Sequence, residues 1–242
     1  VEVNANGKTS VTNGLVGVGG LSLGGNVVVN SGETEAENVL AAVAGVSFGG
    51  NVEVNANGKT SVTNGLVGVA GLSIGGSSTV NINADVDPPL IGGVSVTIGA
   101  GPANLNLADG TLVQADLIGL LGANIGDGVV NIDVGNGARV EATPGGFGIG
   151  IAAFDTGAGG ININVAVDDG SPAAVLGDTF GIATLAGDGN TDIQIGAGSI
   201  VDSERGGFGI GIGAGAFGDG SISIGLAATA DGDPRTTVAG DT

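Results

Sequence analysis

Apolar and polar residues alternate in short runs along the whole chain, and Asn-Gly, Asp-Gly or Gly-Gly pairs separate the runs. In 51–76, NVEVNA alternates, Asn57-Gly58 interrupts it, KTSVT alternates, Asn64-Gly65 interrupts again, and LVGVAGLSIGG closes the stretch. A period of two marks a half-buried strand, and Asn and Gly suit the corners because both tolerate positive φ. Three or four short strands joined by such corners make one coil of a β-solenoid. Pro falls between the strands, at Pro88-Pro89, Pro102, Pro144, Pro172 and Pro234, where a missing N–H does least harm.

The alternation is itself repeated. Residues 1–25 return at 52–76 with two changes, Gly19 becoming Ala70 and Leu23 becoming Ile74. The stretch 26–50 between them is a diverged copy that opens on a V-x-V-N strand and closes on G-V-S-F-G-G. Further units follow at 77–101, 102–128, 129–160, 161–189, 190–220 and, in part, 221–242. The pattern predicts an all-β fold, a β-solenoid (β-helix) of about nine coils with a period near 25–30 residues. It fills 1–242 as a single repeat domain, near-identical coils in 1–76 leading into diverged, longer coils in 77–242. The alternative is a β-sandwich pilin-like subunit joined to its neighbours by donated strands.

Stacking puts like residues above like. Val1/Val3, Val27/Val29 and Val52/Val54 are expected to face inward in columns, with Asn4, Asn30 and Asn55 as an amide ladder at a corner. Phe48, Phe147, Phe154, Phe180, Phe208 and Phe217 recur near unit ends and read as core plugs. Gly211, Gly213 and Gly215 beside Ile210 and Ile212 predict a flat face that can close-pack on another chain or on another face of the solenoid. Residues 31–44 admit either a helical turn, since Thr34-x-x-Glu37 matches a capping box, or an acidic corner excursion.

Composition then removes whole classes of function. The 242 residues include 53 Gly and no Cys, Met, Trp, Tyr or His. No zinc site, disulfide, thiol nucleophile or Ser-His-Asp triad can be built from them. Acidic residues number 24 against five basic ones, a net charge of -19, so no basic surface exists for nucleic acid or anionic lipid. Aliphatic content and a mean hydropathy of +0.44 argue against disorder despite the Gly. No uninterrupted apolar run is long enough for a transmembrane helix. The chain opens at Val1 without a basic-then-apolar leader, which reads as a processed or trimmed form, and the acidic, sulfur-free composition suits an extracellular or cell-surface setting.

One chemistry stays open. Asp-Gly pairs recur at Asp109, Asp127, Asp169, Asp188, Asp219 and Asp231, and oxygen-rich turns stacked along a solenoid can hold Ca²⁺. The stretch 187–193 resembles half of a calcium-binding β-roll nonapeptide, which makes Asp188, Asn190, Asp192 and Asp219 the candidate ligands. The other reading is that each Asp-Gly is simply a turn. Neighbouring carboxylates such as Asp168-Asp169 or Glu33/Glu35/Glu37 read as solvated charge, because a glycosidase needs them in a walled cleft. Arg205 beside Glu204 and Asp202 reads as a surface ion pair, and Lys8 and Lys59 occupy equivalent corners.

The segment 209–225, GIGIGAGAFGDGSISIG, resembles the β-roll head repeats of trimeric autotransporter adhesins, roughly S-V-A-I-G-x-x-A-x-A-x-G, in a likeness that ends near 232. The resemblance implies stacked β-coils and a bacterial surface location. The expected function is therefore an extracellular structural protein without catalysis, a subunit of a self-assembling filament or surface fibre with an adhesion- or biofilm-type role. Its partners would be copies of itself joined head to tail, with no nucleic acid and no membrane insertion, because terminal coils expose unpaired strand edges. No cofactor is expected unless calcium binds. The alternatives are the receptor-binding head of an adhesin or phage-like fibre, with contacts in the long loops of 129–160 and 190–220, and, remotely, a polysaccharide-active β-helix enzyme.

Overall fold

A computed structural model describes residues 1–242 except 88–89, 143–146, 168–169, 204–208, 229–234 and 241–242. The described elements are all strands, and every strand pairing is parallel. Each strand lies beside the equivalent strand of the next coil, so the chain winds into a solenoid of about eight turns with a period of roughly 27 residues. A β-sandwich would pair its strands mainly antiparallel, and that alternative is set aside. The expected units hold as coils, which are numbered 1 to 9 below.

Coil 3 shows the plan. Its first strand, Val52–Ala56, joins a nine-stranded sheet; its second, Thr60–Thr63, and third, Val67–Ile74, join a fifteen-stranded sheet that folds around the other two faces. In coils 1 and 2 the second and third strands run together as Thr9–Ser22 and Thr34–Phe48. The corner inside them is turned by Asn13 and Asn38 at φ 59° and 54°, and the matching Asn64 sits at 53°. Asn adopts this left-handed conformation more readily than other non-Gly residues.

The core is the thin space between the three faces. First-sheet residues Val27, Val54, Ile82, Leu105, Ile132 and Ile163 are fully buried against third-face Val43, Val69, Leu120, Ile151 and Ile182. The space leaves no room for a side chain everywhere: a Cβ on Gly71 would stand 2.8 Å from Val80 Cγ2. At the corner leading back to the first sheet the coils touch backbone to backbone. A Cβ on Gly101 would lie 2.2 Å from the Gly76 carbonyl oxygen, which requires Gly there.

Residues 31–44 form no helix. Thr34, Glu35, Ala36 and Glu37 pair in register with Thr9, Ser10, Val11 and Thr12 on one side and with Thr60–Thr63 on the other. Nor are they an acidic corner excursion: the stretch keeps the middle strand, with Glu in place of that strand's outward Ser and Thr. Ladder hydrogen bonds to two neighbouring coils outweigh a local capping preference. The longer downstream units keep the same ladder. Register grows from Val27↔Val52 to Val130↔Ile161, and the added length falls between strands, in the stretches after Ala142, Val165 and Ser203. Inward-pointing Ile222, Ile224 and Leu226 of coil 9 are exposed, whereas their coil 8 equivalents Thr191, Ile193 and Ile195 are buried.

Candidate interaction face

Alternation fixes which residues share a side but not what covers that side. On the first sheet the outer side is polar. Asn30 donates to Asn4 Oδ1 (2.7 Å), Asn55 to Asn30 (2.8 Å), Asn81 to Asn55 (2.7 Å) and Asn106 to Asn81 (2.7 Å). The row continues where Asn164 donates to Asp133 Oδ1 at 2.7 Å. A second row runs beside it, Asn162 to Asn131 and Asn131 to Asn104, at 2.9 and 2.8 Å. The expected ladder of Asn4, Asn30 and Asn55 thus exists and is longer than the sequence suggested. It lies along the outer face of the first sheet, one residue inside the strand end, rather than at a corner. Of the expected valine columns, Val27, Val29, Val52 and Val54 are buried, while Val1 and Val3 line the more open first coil.

The second face is acidic, with Glu35, Glu37 and Asp87 pointing out. Lys8 bridges Glu35 at 2.6 Å and Glu33 at 3.2 Å, and these hydrogen bonds raise its pKa from the ordinary value. Lys59 lies exposed in the same corner column. Farther up, Glu141 is half-buried, which pushes its pKa up, but hydrogen bonds from Gln114 and Arg139 outweigh burial and leave it lowered.

The third face is apolar on both sides. Its outer residues form four columns in register. The first is Val16, Ala41, Val67 and Ile91 in coils 1–4, continued by Ile118, Ile149, Phe180 and Ile210. The second runs from Gly19 through Ala70 and Leu121 to Gly213; the third from Leu21 through Leu72 and Phe154 to Gly215. The fourth holds Leu23, Phe48, Ile74, Ile98 and Ile125. Leu21 is 60% exposed, Leu23 81% and Ile125 50%. Leu15, Leu40 and Leu66 add a leucine edge beside the first column. Among the described residues of these columns there is no Asp, Glu, Lys or Arg.

This face corrects the reading of the aromatics. Phe48, Phe147 and Phe217 are exposed and Phe154 and Phe180 half-buried on the outer side, so they are not core plugs; Phe208 lies outside the described residues. The flat surface expected from Gly211, Gly213 and Gly215 beside Ile210 and Ile212 is present only in part: Ile210, Gly213 and Gly215 form the thin end of the face, whereas Ile212 packs on the core and Gly211 faces inward, where a Cβ would meet Val238 Cγ1 at 2.7 Å. The missed signal was in the third strands, where IGLLGANI and VGVAGLSI carry apolar residues at both parities. Such runs are typical of strands covered on both sides.

The candidate calcium residues are placed as follows. Asp188 and Asp219 occupy one corner of successive coils, with the Asp219 N–H donating to Asp188 Oδ1 at 3.4 Å. Asn190 Oδ1 accepts from both the N–H and the hydroxyl of Ser221 at 3.0 Å. Asp192 points out from the first sheet and accepts from Gln194. Among the described residues no three acidic side chains converge as a metal cage. Asp168-Asp169, Asp231, Glu204 and Arg205 include positions outside the described residues, as do the lengthened corners of 129–160 and 190–220.

One buried carboxyl stands apart. The corner column Ser47, Ser73, Thr97 and Asn124 satisfies the turn backbone: Ser47 Oγ donates to Gly25 O at 2.7 Å, and Asn124 donates to Thr97 Oγ1 at 2.6 Å. In coil 6 the position is Asp155, which accepts the Gly160 N–H at 3.0 Å. Burial raises its pKa, the Asp127 charge adds to this, and the N–H donors of Gly160, Gly157 and Thr156 offset only part of it.

No helix among the described residues is long and apolar enough to cross a membrane. No family model matches the chain, no curated protein matches it, and no solved structure does.

Proposed function

We propose that this chain is an extracellular structural protein, a non-catalytic subunit of a self-assembling filament or surface fibre with an adhesion- or biofilm-type role. The observation that carries the reading is the unbroken parallel pairing of nine first-sheet strands, in which the coils accept one another despite sequence drift. Position four of that sheet passes from Asn to Asp to Gln without a register slip. Coil 1 repeats, with two exceptions, the sequence by which coil 3 docks on coil 2. Stacking is a property of the coil and works whichever chain supplies the next one. Head-to-tail association of copies extends the same ladder, and an unclosed head-to-tail contact yields an open polymer. The cations and aromatics that a carbohydrate-cleaving cleft needs are scarce.

The test is electron microscopy of the purified chain over rising concentration. Filaments with an axial repeat of roughly 38–43 Å, the height of eight or nine coils at about 4.8 Å each, support the reading. Monodisperse single rods at high concentration overturn it.

A further inference from the structure

We propose that the third face seats a second copy of this chain, packed face to face about a two-fold axis parallel to the rod. Extent is the first argument. Eight rungs at about 4.8 Å, and a strand stretch of seven steps at about 3.3 Å, give a face of roughly 38 by 23 Å, near 900 Å². A stable protein–protein interface takes about 800 Å² from each partner, and contiguous apolar surface of this size is rarely left bare on a monomer.

The second argument is the size of the residues along each rung. A two-fold parallel to the rod keeps every coil level with itself and reverses the order of the columns. The second column then lies opposite the partner's third. Gly19 meets Leu21, Ala70 meets Leu72, and Ala152 meets Phe154. In coil 5 the order inverts, Leu121 with Ala123, and small still meets large. Two rungs pair residues of equal size, Val94 with Val96 in coil 4 and Gly213 with Gly215 in coil 8, where the face thins out. The outer columns follow suit in coil 2, where Ala41 meets Phe48. Small-against-large pairing at constant sheet separation is what two sheets stacked about 10 Å apart require. A two-fold across the rod sets the second column against itself instead, placing Gly19 over Gly213 and Ala70 over Ala152 and leaving a trench. The residue sizes therefore select the parallel arrangement.

Charge tunes this pairing without blocking it. Each copy carries -19, but the described residues of the four columns are uncharged, and the carboxylates of Glu35, Glu37 and Asp87 project from the second face. The repulsion acts between distant solvated groups, so raising salt toward physiological strength, where the Debye length is about 8 Å, tightens the dimer.

Sedimentation equilibrium of the full chain, with circular dichroism to confirm folding, tests the proposal. The wild type is expected to dimerise, and Leu72→Glu, which brings carboxylates into the apolar seam, to weaken dimerisation roughly thirtyfold or more. Ala70→Leu alone is expected to weaken it through a clash with the partner's Leu72, and the swap Ala70→Leu with Leu72→Ala to restore it. The swap stays apolar, so it remains informative if the charged variant misfolds. A monomer at every concentration overturns the proposal. So does failure of the swap to restore pairing, and so does binding of the wild type to phosphatidylcholine vesicles that Leu72→Glu abolishes. The proposal is independent of axial stacking. Filaments that persist in Leu72→Glu but narrow to single rods uphold both readings, and dimers that never lengthen uphold only this one.

Discussion

The first and third faces share one backbone plan and one buried interior, yet their outer sides are chemical opposites. Outside the first sheet, amides donate to one another from coil to coil. Outside the third, Val, Ile, Leu and Phe stand in the same kind of columns with no described strand over them. The ladder is indifferent to which, because it is built from N–H and C=O groups that every residue except Pro carries. What distinguishes the faces is their relation to water: the amide rows satisfy themselves and stay wet, whereas the apolar rows gain only by being covered.

The sharpest way to break the comparison is to truncate a leucine on the inner side of the first sheet and another on the outer side of the third face. Leu105→Ala, fully buried in the first sheet, is expected to cost about 2–5 kcal/mol, read from denaturant unfolding. Leu72→Ala on the outer third face is expected to change the stability of the single rod by less than about 1 kcal/mol. Equal losses would mean that the outer columns belong to the core. Next in size is Gly101→Ala, whose Cβ meets the Gly76 carbonyl of the coil below. Overpacking of this kind costs roughly 1–3 kcal/mol, and the unfolding midpoint should fall accordingly. A smaller effect is expected from Asn81→Ala, which removes the amide linking Asn55 and Asn106 at a cost of about 0.5–1.5 kcal/mol.

The smallest effect depends on pH. The pKa of Asp155 is raised on folding, so the folded chain holds this proton more tightly than the unfolded one. Its contribution to stability is complete below the ordinary carboxylate range and is lost as pH rises through the raised value. Asp155→Asn, which copies the Asn124 of the coil below, should flatten that loss. The two proteins should converge in thermal midpoint at acid pH, with the variant ahead near neutrality.

Much of this architecture was legible in the residues. The 25-residue recurrence of 1–25 in 52–76, with alternation inside it, is sufficient for stacked parallel coils, and the Asn4, Asn30 and Asn55 column follows from the spacing alone. Two readings failed for one reason. Thr34–Glu37 read as a helical turn or an acidic corner because local preference was read without the ladder on either side. The phenylalanines looked like core because apolar residues were assumed to face inward. The apolar face was hidden in the same way: strands with apolar residues at both parities, such as Ile118–Ile125, do not say which parity is inside.

The sequence by itself determined the coil, its period and its corner residues, because repetition and composition are one-dimensional properties. Only the tertiary structure decided which side of each strand is inside. That choice depends on the width of the gap between opposing sheets, where Gly71 must be bare to admit Val80, and so the outer columns, and the face they form, appear only once the coil is closed.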